Sequence, residues 1–328
     1  MLQENPVAML NDRVAGRQAW TRASLNTGDW LFRFDRACQI ELETIVEELR
    51  ANPLPTILLT PDLFEFNACR AVMGRVREAL TTGVSFAVVD RIPVDAISVE
   101  EAKSLYWILS SLIARPVAQK LDGTMIYDVH DTGMQALPGS GIRPDKTNVD
   151  LTFHNDNAYN RCMPQFVGLF CMRQAKSGGL SRLMSFQSAH NALLEDYPDL
   201  LPRFYRPFHF DRQKEFFPGE HPIFSAPMFE YDGRLRARLA PYQVRNGYAM
   251  LNEPVDGETA SAIAALDEVF SRAALIAEQF MEAGQIQYVN NLEIGHSRTG
   301  FVDHDDPALR RYLVRLWLRD TGHRGYRG

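Results

Sequence analysis

Apolar and polar positions recur along the chain with two different periods, and the balance shifts near residue 149. In the N-terminal third the spacing is three and four residues. Cys69, Val72, Met73, Val76 and Leu80 form one such stripe, which predicts a helix. Thr60-Pro61 ahead of it offers a cap and a first-turn proline, and Gly83 a stop. Leu105, Ile108, Leu109 and Leu112 mark a second helix over Glu101 to Arg115, ended by Pro116. Val84 to Asp90 and Met125 to Val129 are short apolar runs that read as strands. The stretch GMQALPGSGIRPDKTN, within 132–148, is rich in glycine, proline and polar residues and reads as a long loop, a candidate lid.

From 149 onward strand-like segments dominate: 149–154, 165–173 and 181–186, then ambiguous stretches through 250. Thr259 to Ala283 reads as a helix with Ile263, Leu266, Phe270 and Ala273 on its buried stripe and Gly284 after its end. Gln285 to Asn290 and Arg311 to Arg319 read as closing strands. Many short strands with few intervening helices predict an α+β chain with a mainly β core, a sandwich or barrel rather than a doubly wound sheet. One domain over 1–328 is expected. It divides into a helical extension (1–83) and a core (84–320) with a helical insert near 259–283.

Composition narrows the classes. With 328 residues, 45% of them hydrophobic and 23% charged, the chain can bury a core without disulfide or metal staples. A net charge of −6 argues against bulk attraction to nucleic acid or anionic lipid. The longest nearly apolar run, Leu105 to Ala114, is too short to span a bilayer, and MLQENPVAML lacks the basic start of a secretory signal. Cysteines 38, 69, 162 and 171 show no C-x-x-C spacing, so a disulfide framework and a zinc site of that type are not expected, and a reducing cytoplasm is the default compartment. Neither a G-x-G-x-x-G turn after a strand nor a Walker A loop is present.

The sharper chemistry lies in His-x-Asp pairs. On a strand of period two, His-x-Asp projects both side chains from one face. A further histidine would complete a 2-His-1-carboxylate triad, which leaves positions open on iron(II). Three pairs occur: His154/Asp156, His209/Asp211 and His304/Asp306. His304 lies in the acidic stretch VDHDDPA and reads as a solvated turn. His209 lies between Arg206 and Arg212, so a surface ion pair suffices for Asp211. His154 ends an apolar strand that runs into a polar turn, as expected of a ligand pair at the mouth of a barrel. His296 follows a later strand. Arg311, Leu313, Arg315 and Trp317 then share one strand face. Arginines buried on such a face need anionic partners, and a dicarboxylate cosubstrate is one.

These stretches together carry a family resemblance. LTFHNDNAYN, AKSGGLSRLMS and NNLEIGHSRTGF…RRYLVRLWL, with GVSFAVVDRIP upstream, span residues 84 to 320, and the two histidines stand 142 residues apart. In this order they resemble the taurine dioxygenase and clavaminate synthase-like family of Fe(II)/2-oxoglutarate-dependent oxygenases. The resemblance implies a double-stranded β-helix, a distorted jelly roll, with flanking and inserted helices. It implies an enzyme that uses Fe(II), 2-oxoglutarate and O2 to hydroxylate an unactivated C–H of a small substrate, releasing succinate and CO2. His154, Asp156 and His296 match the iron ligands. Arg311 matches the arginine on the distal carboxylate of 2-oxoglutarate, with Arg310 as the neighbouring choice. Ser181 matches a hydroxyl position on the same carboxylate, and Arg315 an arginine that meets the anionic end of the substrate in some members. Asn155 stands where many members have threonine and should point away from the metal. Asp156, being neither Gly nor Ala, argues against a halogenase.

Other residues take secondary places. Asn157 and Asn291 flank ligands and are candidates to orient them, with Asn157 also a candidate for substrate contact or a plain turn role. His130 follows a strand and is a candidate for the substrate pocket. Arg143 and Lys146 lie on the loop, and with Arg315 they point to an anionic or zwitterionic substrate. His190 reads as a helix-side histidine near the surface. Desaturation, cyclisation or epoxidation with the same cofactors is one alternative outcome. A cupin-like non-oxidative metalloenzyme is a second, and a non-catalytic jelly roll a third. Helices outside the barrel offer surfaces for a homo-oligomer.

Overall fold

The computed structural model describes residues 8–135, 144–252 and 254–328. Two sheets face each other across the functional core. The larger has seven strands: β1 (Leu31–Arg33), β2 (Phe86–Asp90), β3 (Arg115–Val117), β4 (Tyr127–Val129), β6 (Phe166–Arg173), β14 (Ile286–Asn290) and β17 (Tyr312–Arg319). Their order is β1-β2-β14-β6-β17-β3, with β4 also paired to β17. The smaller contains β5 (Leu151–His154), β8 (Ser181–Ser185), β13 (Ile276–Gln279) and β15 (Ile294–Arg298), ordered β13-β8-β15-β5. Three two-stranded ribbons complete the strands: β7 (Ser177–Gly178) with β16 (Phe301–Val302), β9 (Phe208–Asp211) with β10 (Ile223–Ala226), and β11 (Phe229–Tyr231) with β12 (Leu235–Ala237). This is the jelly-roll core expected from the sequence.

Strand alternation divides the large sheet into two faces. Phe166, Phe170, Tyr288, Val314 and Leu316 face outward and are buried beneath helices α1 (Arg36–Ala51), α2 (Asn67–Thr81) and α3 (Val99–Ser111). Leu169, Cys171, Gln287, Leu313, Arg315 and Trp317 face inward. The outer layer is an ordinary helix-on-sheet core, whereas the inner layer mixes apolar and charged groups. Helices α4 (Phe186–Asp196), α5 (Leu201–Phe204), α6 (Pro241–Leu251) and α7 (Gly257–Ser271) build a second core around the small sheet, with Phe186, Phe208, Phe229 and Leu266 inside.

Several sequence expectations move. The helix expected from Thr60-Pro61 begins only at Asn67, and Pro61–Leu63 is a separate 3-10 turn. Its exposed first amides are capped from afar: the Glu41 carboxylate accepts from Ala68 N and Cys69 N at 2.8 Å each. The expected stripe is buried throughout. The helix expected over Glu101 to Arg115 starts earlier, at Val99, where Ser98 and Glu101 form a capping box, and Arg115 opens a strand.

The helix expected over Thr259 to Ala283 stops at Ser271, and Ala273 is exposed. Residues 276–279 instead form β13, the edge of the small sheet, paired with β8. Local periodicity cannot report a strand partner some ninety residues upstream. His190 is not near the surface: it is fully buried on α4, its Nε2 2.9 Å from the Tyr205 hydroxyl. Burial pushes its pKa down to about 4. Asp211 makes no surface ion pair among the described residues. It is buried, and it accepts from Gln213 N at 2.8 Å. Arg206 and Arg212 pair with Glu258 and Glu220 instead.

Candidate metal centre and its two cavities

Strands β5 and β15 run antiparallel with His154 directly opposite His296. The pairing converts a separation of 142 residues into adjacent rings, 4.4 Å between centroids. Asp156 lies just past the end of β5, in the turn that follows, rather than on the strand itself. That turn is fixed from both sides. Asn155 points away from the triad: its side chain is bonded to Leu239 N at 2.6 Å and to Asn291 O. Asn291 clamps the Asp156 backbone, Oδ1 accepting from its N at 2.8 Å and Nδ2 donating to its O at 3.0 Å.

Asp156 Oδ1 then sits 3.6 Å from His154 Nε2 and 3.4 Å from His296 Nε2. One ligand atom from each residue lies within 4.8 Å of the others, the one such cluster among the described residues. The second oxygen, Oδ2, accepts from Trp317 Nε1 at 2.6 Å and lies 3.2 Å from Arg315 Nη1. His154 Nδ1 is 2.8 Å from Thr152 O, which orients Nε2 toward the cluster.

The electrostatics suit a metal. Burial alone would raise the Asp156 pKa, but the Arg315 charge and the histidine hydrogen bonds outweigh it and hold the carboxyl well below its usual range. Burial, then the neighbouring His154, lowers the pKa of His296 and keeps its ring neutral. An ionised carboxylate and a neutral imidazole are the forms that ligate. The donor set of two imidazoles and one carboxylate fits iron(II) with open positions.

The triad separates two cavities. The first, of about 70 Å³, is lined by Ser181, Gln287, Arg298, Arg311, Leu313 and Arg315 among others. Among the described residues its charged groups beyond the histidines are three guanidiniums and one carboxylate, Asp145. Arg311 is buried, and neither its Nη1 nor Arg298 Nε has a hydrogen-bond partner among the described residues. Burial lowers the pKa of Arg311. Burial and the nearby Arg311 push Arg298 down to about 10. Arg310, by contrast, is exposed. Gly179 adjoins Arg311, and its φ of +71° is a backbone conformation that favours glycine. Ser181 lines this cavity too, but its hydroxyl donates to Gln287 Oε1 at 2.8 Å.

The second cavity, of about 160 Å³, is lined by Asp145, Asp150, Asn157, Gln213, Gln243 and Trp317 among others. Among the described residues its charged groups beyond His154 are three carboxylates and one guanidinium, Arg315. Arg315 reaches both cavities, and its Nη1 lies 2.9 Å from Asp145 Oδ2 as well as on Asp156. Its Nε donates to Gln119 at 2.9 Å, and Tyr127 and Trp317 flank the guanidinium. Asn157 lines the cavity, yet its amide is engaged by Cys162 O and by the Tyr326 hydroxyl. His130 is half-buried and lines neither cavity. Arg143 lies outside the described residues. Lys146 donates to Asp128 O and stands over the Tyr127 ring.

Sequence reasoning did not single out Arg298, Gln287, Asp145, Gln213 or Gln243. For Arg298 a signal existed: it shares a face of β15 with His296, two residues away. The other four gave none.

Comparison with known proteins agrees with this architecture. FR-33289 synthase of Streptomyces rubellomurinus is 27% identical over 320 residues, covering 95% of this chain and 92% of that protein. A taurine hydroxylase-like protein, SAT17 of Stachybotrys chartarum, is 31% identical over 176 residues, 52% of this chain and 42% of that one. Among solved structures, an asparagine oxygenase with Fe(II), 2S,3S-3-hydroxyasparagine and succinate superposes with a TM-score of 0.66 at 19% identity, covering 88% of this chain and 93% of that one. The non-heme iron oxygenase OrfP with Fe and alpha-ketoglutaric acid gives 0.62 at 15% identity, covering 89% and 94%. Residues 59–317 match the model of the family described as taurine catabolism dioxygenase TauD, TfdA family. The chain belongs to that TauD/TfdA family and is a 2-oxoglutarate-dependent oxygenase.

Proposed function

We infer that the chain uses iron(II), 2-oxoglutarate and O2 to hydroxylate an unactivated C–H bond of a small charged substrate, releasing succinate and carbon dioxide. His154, Asp156 and His296 hold the iron. The first cavity takes 2-oxoglutarate, with its distal carboxylate on Arg311, and the second takes the substrate. The observation that carries this reading is the buried Arg311 guanidinium, whose Nη1 has no partner among the described residues, in a cavity that also reaches two of the three triad residues. A planar fork of that kind pairs with a carboxylate in bidentate fashion.

When bound, the metal and cosubstrate supply the C–H oxidation, which no side chain can perform alone. The chain's own residues do the rest. Trp317 and Arg315 hold Asp156 Oδ2, so Oδ1 faces the histidines. Arg311 neutralises and orients the cosubstrate, while Leu169 and Leu313 keep that cavity apolar beside it. The asparagine oxygenase and OrfP structures hold hydroxylated amino acids, which supports a small charged substrate here.

The test is an anaerobic titration of the apoprotein with Fe(II) and then 2-oxoglutarate, followed by visible absorbance. A metal-to-ligand charge-transfer band is expected, absent in His154→Ala and needing more cosubstrate in Arg311→Ala. No band in a folded, iron-loaded protein would overturn the reading in favour of a metalloenzyme that works on the same triad without oxygen. Product mass then separates hydroxylation, a gain of one oxygen, from desaturation or cyclisation, a loss of two hydrogens.

A further inference from the structure

The two cavities differ in the sign of what they leave unpaired. On the Arg311 side the buried atoms without partners include the donors Arg311 Nη1 and Arg298 Nε. The acceptor Gln243 Oε1 belongs to the second cavity alone, and both carboxylate oxygens of Asp145 border the two cavities. Asp145 Oδ2 stands near Arg315 Nη1 as an ion pair, but neither of its oxygens accepts a hydrogen bond among the described residues. Gln243 is 8% exposed, in the first turn of α6. Buried acceptors left without donors are costly, and folded proteins keep few of them. The charge balance among the described residues runs the same way, with three carboxylates against one guanidinium already placed between two of them.

Asp145 is held in place rather than left to swing. The turn Pro144–Lys146 is anchored by Thr132 N donating to Lys146 O at 2.9 Å, and Arg298 Nη2 donates to Thr147 O at 3.0 Å just beyond it. A group that satisfies these acceptors must bring N–H donors and positive charge. Arg315, the one guanidinium among the cavity's described residues, is already paired through Nη1 with Asp145 and Asp156.

We propose that the primary substrate carries an ammonium group, which enters the second cavity and is received by the Asp145 carboxylate and the Gln243 amide oxygen. The proposal rests on the triad being the iron centre, since that is what makes the second cavity the substrate side. It narrows the substrate to amines, zwitterions included, and excludes purely anionic molecules. Asp145 and Gln243 are then specificity-determining residues, and Arg315 positions Asp145 as well as Asp156.

The experiment uses the full chain with 2-oxoglutarate and no metal, and ligand-observed proton NMR. The probes share one carbon skeleton: n-butylammonium, 4-aminobutyrate and n-butyrate. The two amines are expected to bind at least tenfold more tightly than butyrate. Asp145→Asn should weaken both amines at least tenfold and, by releasing Arg315, strengthen butyrate. A merely structural role for Asp145 would not produce that exchange. Asp145→Glu should restore amine binding within about threefold, and Gln243→Leu should weaken it several-fold with cosubstrate affinity within twofold of wild type. Butyrate binding as well as the amines, no amine binding at all, or an Asp145→Asn variant that keeps its amine affinity would each overturn the proposal. Failure to bind 2-oxoglutarate even with iron present would instead sink the reading on which it rests.

Discussion

The cavities on either side of His154, Asp156 and His296 share Asp145, His154 and Arg315 and differ in nearly everything else. One carries three guanidiniums and one carboxylate, the other three carboxylates and one guanidinium. The first is built by side chains on regular strands: Gln287, Arg298, Leu313 and Arg315, with Arg311 immediately before β17. The second takes its distinguishing groups from connecting segments and one helix start: Asp150, Asn157, Gln213 and Gln243. In the proposed function, strands thus hold the groups for 2-oxoglutarate, and connecting segments hold those for the substrate. Segments outside the sheet can change without disturbing the ladder that positions the metal.

The most severe way to break the comparison is to remove what separates the cavities. Asp156→Ala should abolish the charge-transfer band and turnover, because it deletes a ligand and leaves Arg315 near Asp145 alone. Affinity of metal-free protein for small amines should survive within severalfold. Loss of both together would mean that the second cavity depends on the metal site for its shape.

An acid titration separates the sites from the fold. Burial pushes His190 down to about 4, whereas in the unfolded chain it titrates near 6.5. As pH falls the unfolded chain takes up the proton first, so stability is full above about 6.5 and drains toward 4. The loss approaches ~3 kcal/mol. His190→Gln should flatten the slope of urea midpoints over that window. Activity lost in the same window but restored in His190→Gln would belong to the fold rather than to either cavity.

Arg311→Ala should raise the 2-oxoglutarate dissociation constant by about 30- to 100-fold, the ~2–3 kcal/mol of a charge-assisted bidentate contact. Metal affinity should be unchanged. Trp317→Phe should act on the other partner, since losing Nε1 leaves Asp156 Oδ2 held by Arg315 alone. Iron affinity should fall about tenfold, at the low end for outer-shell partners of metal ligands. Isothermal titration with each component separates the two effects.

What could be read in the sequence follows the same division. Arg311, Leu313, Arg315 and Trp317 alternate, so the period of a strand put them on one face before any partner was known. His154 and Asp156 were legible as a spaced pair, although Asp156 stands in a turn. Asp145 was not legible, because it sits in a Gly- and Pro-rich stretch whose periodicity says nothing of direction. Gln243 reads as one more polar residue at a helix start. The over-long helix at 259–283 failed for a related reason: a strand edge is decided by its neighbour in space, and β8 lies far upstream.

The smallest effect concerns the hydroxyl that the family resemblance assigns to the cosubstrate. Ser181 lines the first cavity, but its one proton is directed to Gln287 Oε1. In that arrangement Oγ retains only acceptor lone pairs, which a carboxylate cannot use. The amide nitrogen of Gln287, a residue 1% exposed on β14, is then the better-placed donor. Gln287→Leu should therefore weaken 2-oxoglutarate binding about fivefold, near the ~1 kcal/mol of a single hydrogen bond. Ser181→Ala should weaken it about twofold, through lost orientation of that amide. If Ser181→Ala costs more than Gln287→Leu, the hydroxyl turns to the cosubstrate on binding, and the donor role returns to Ser181.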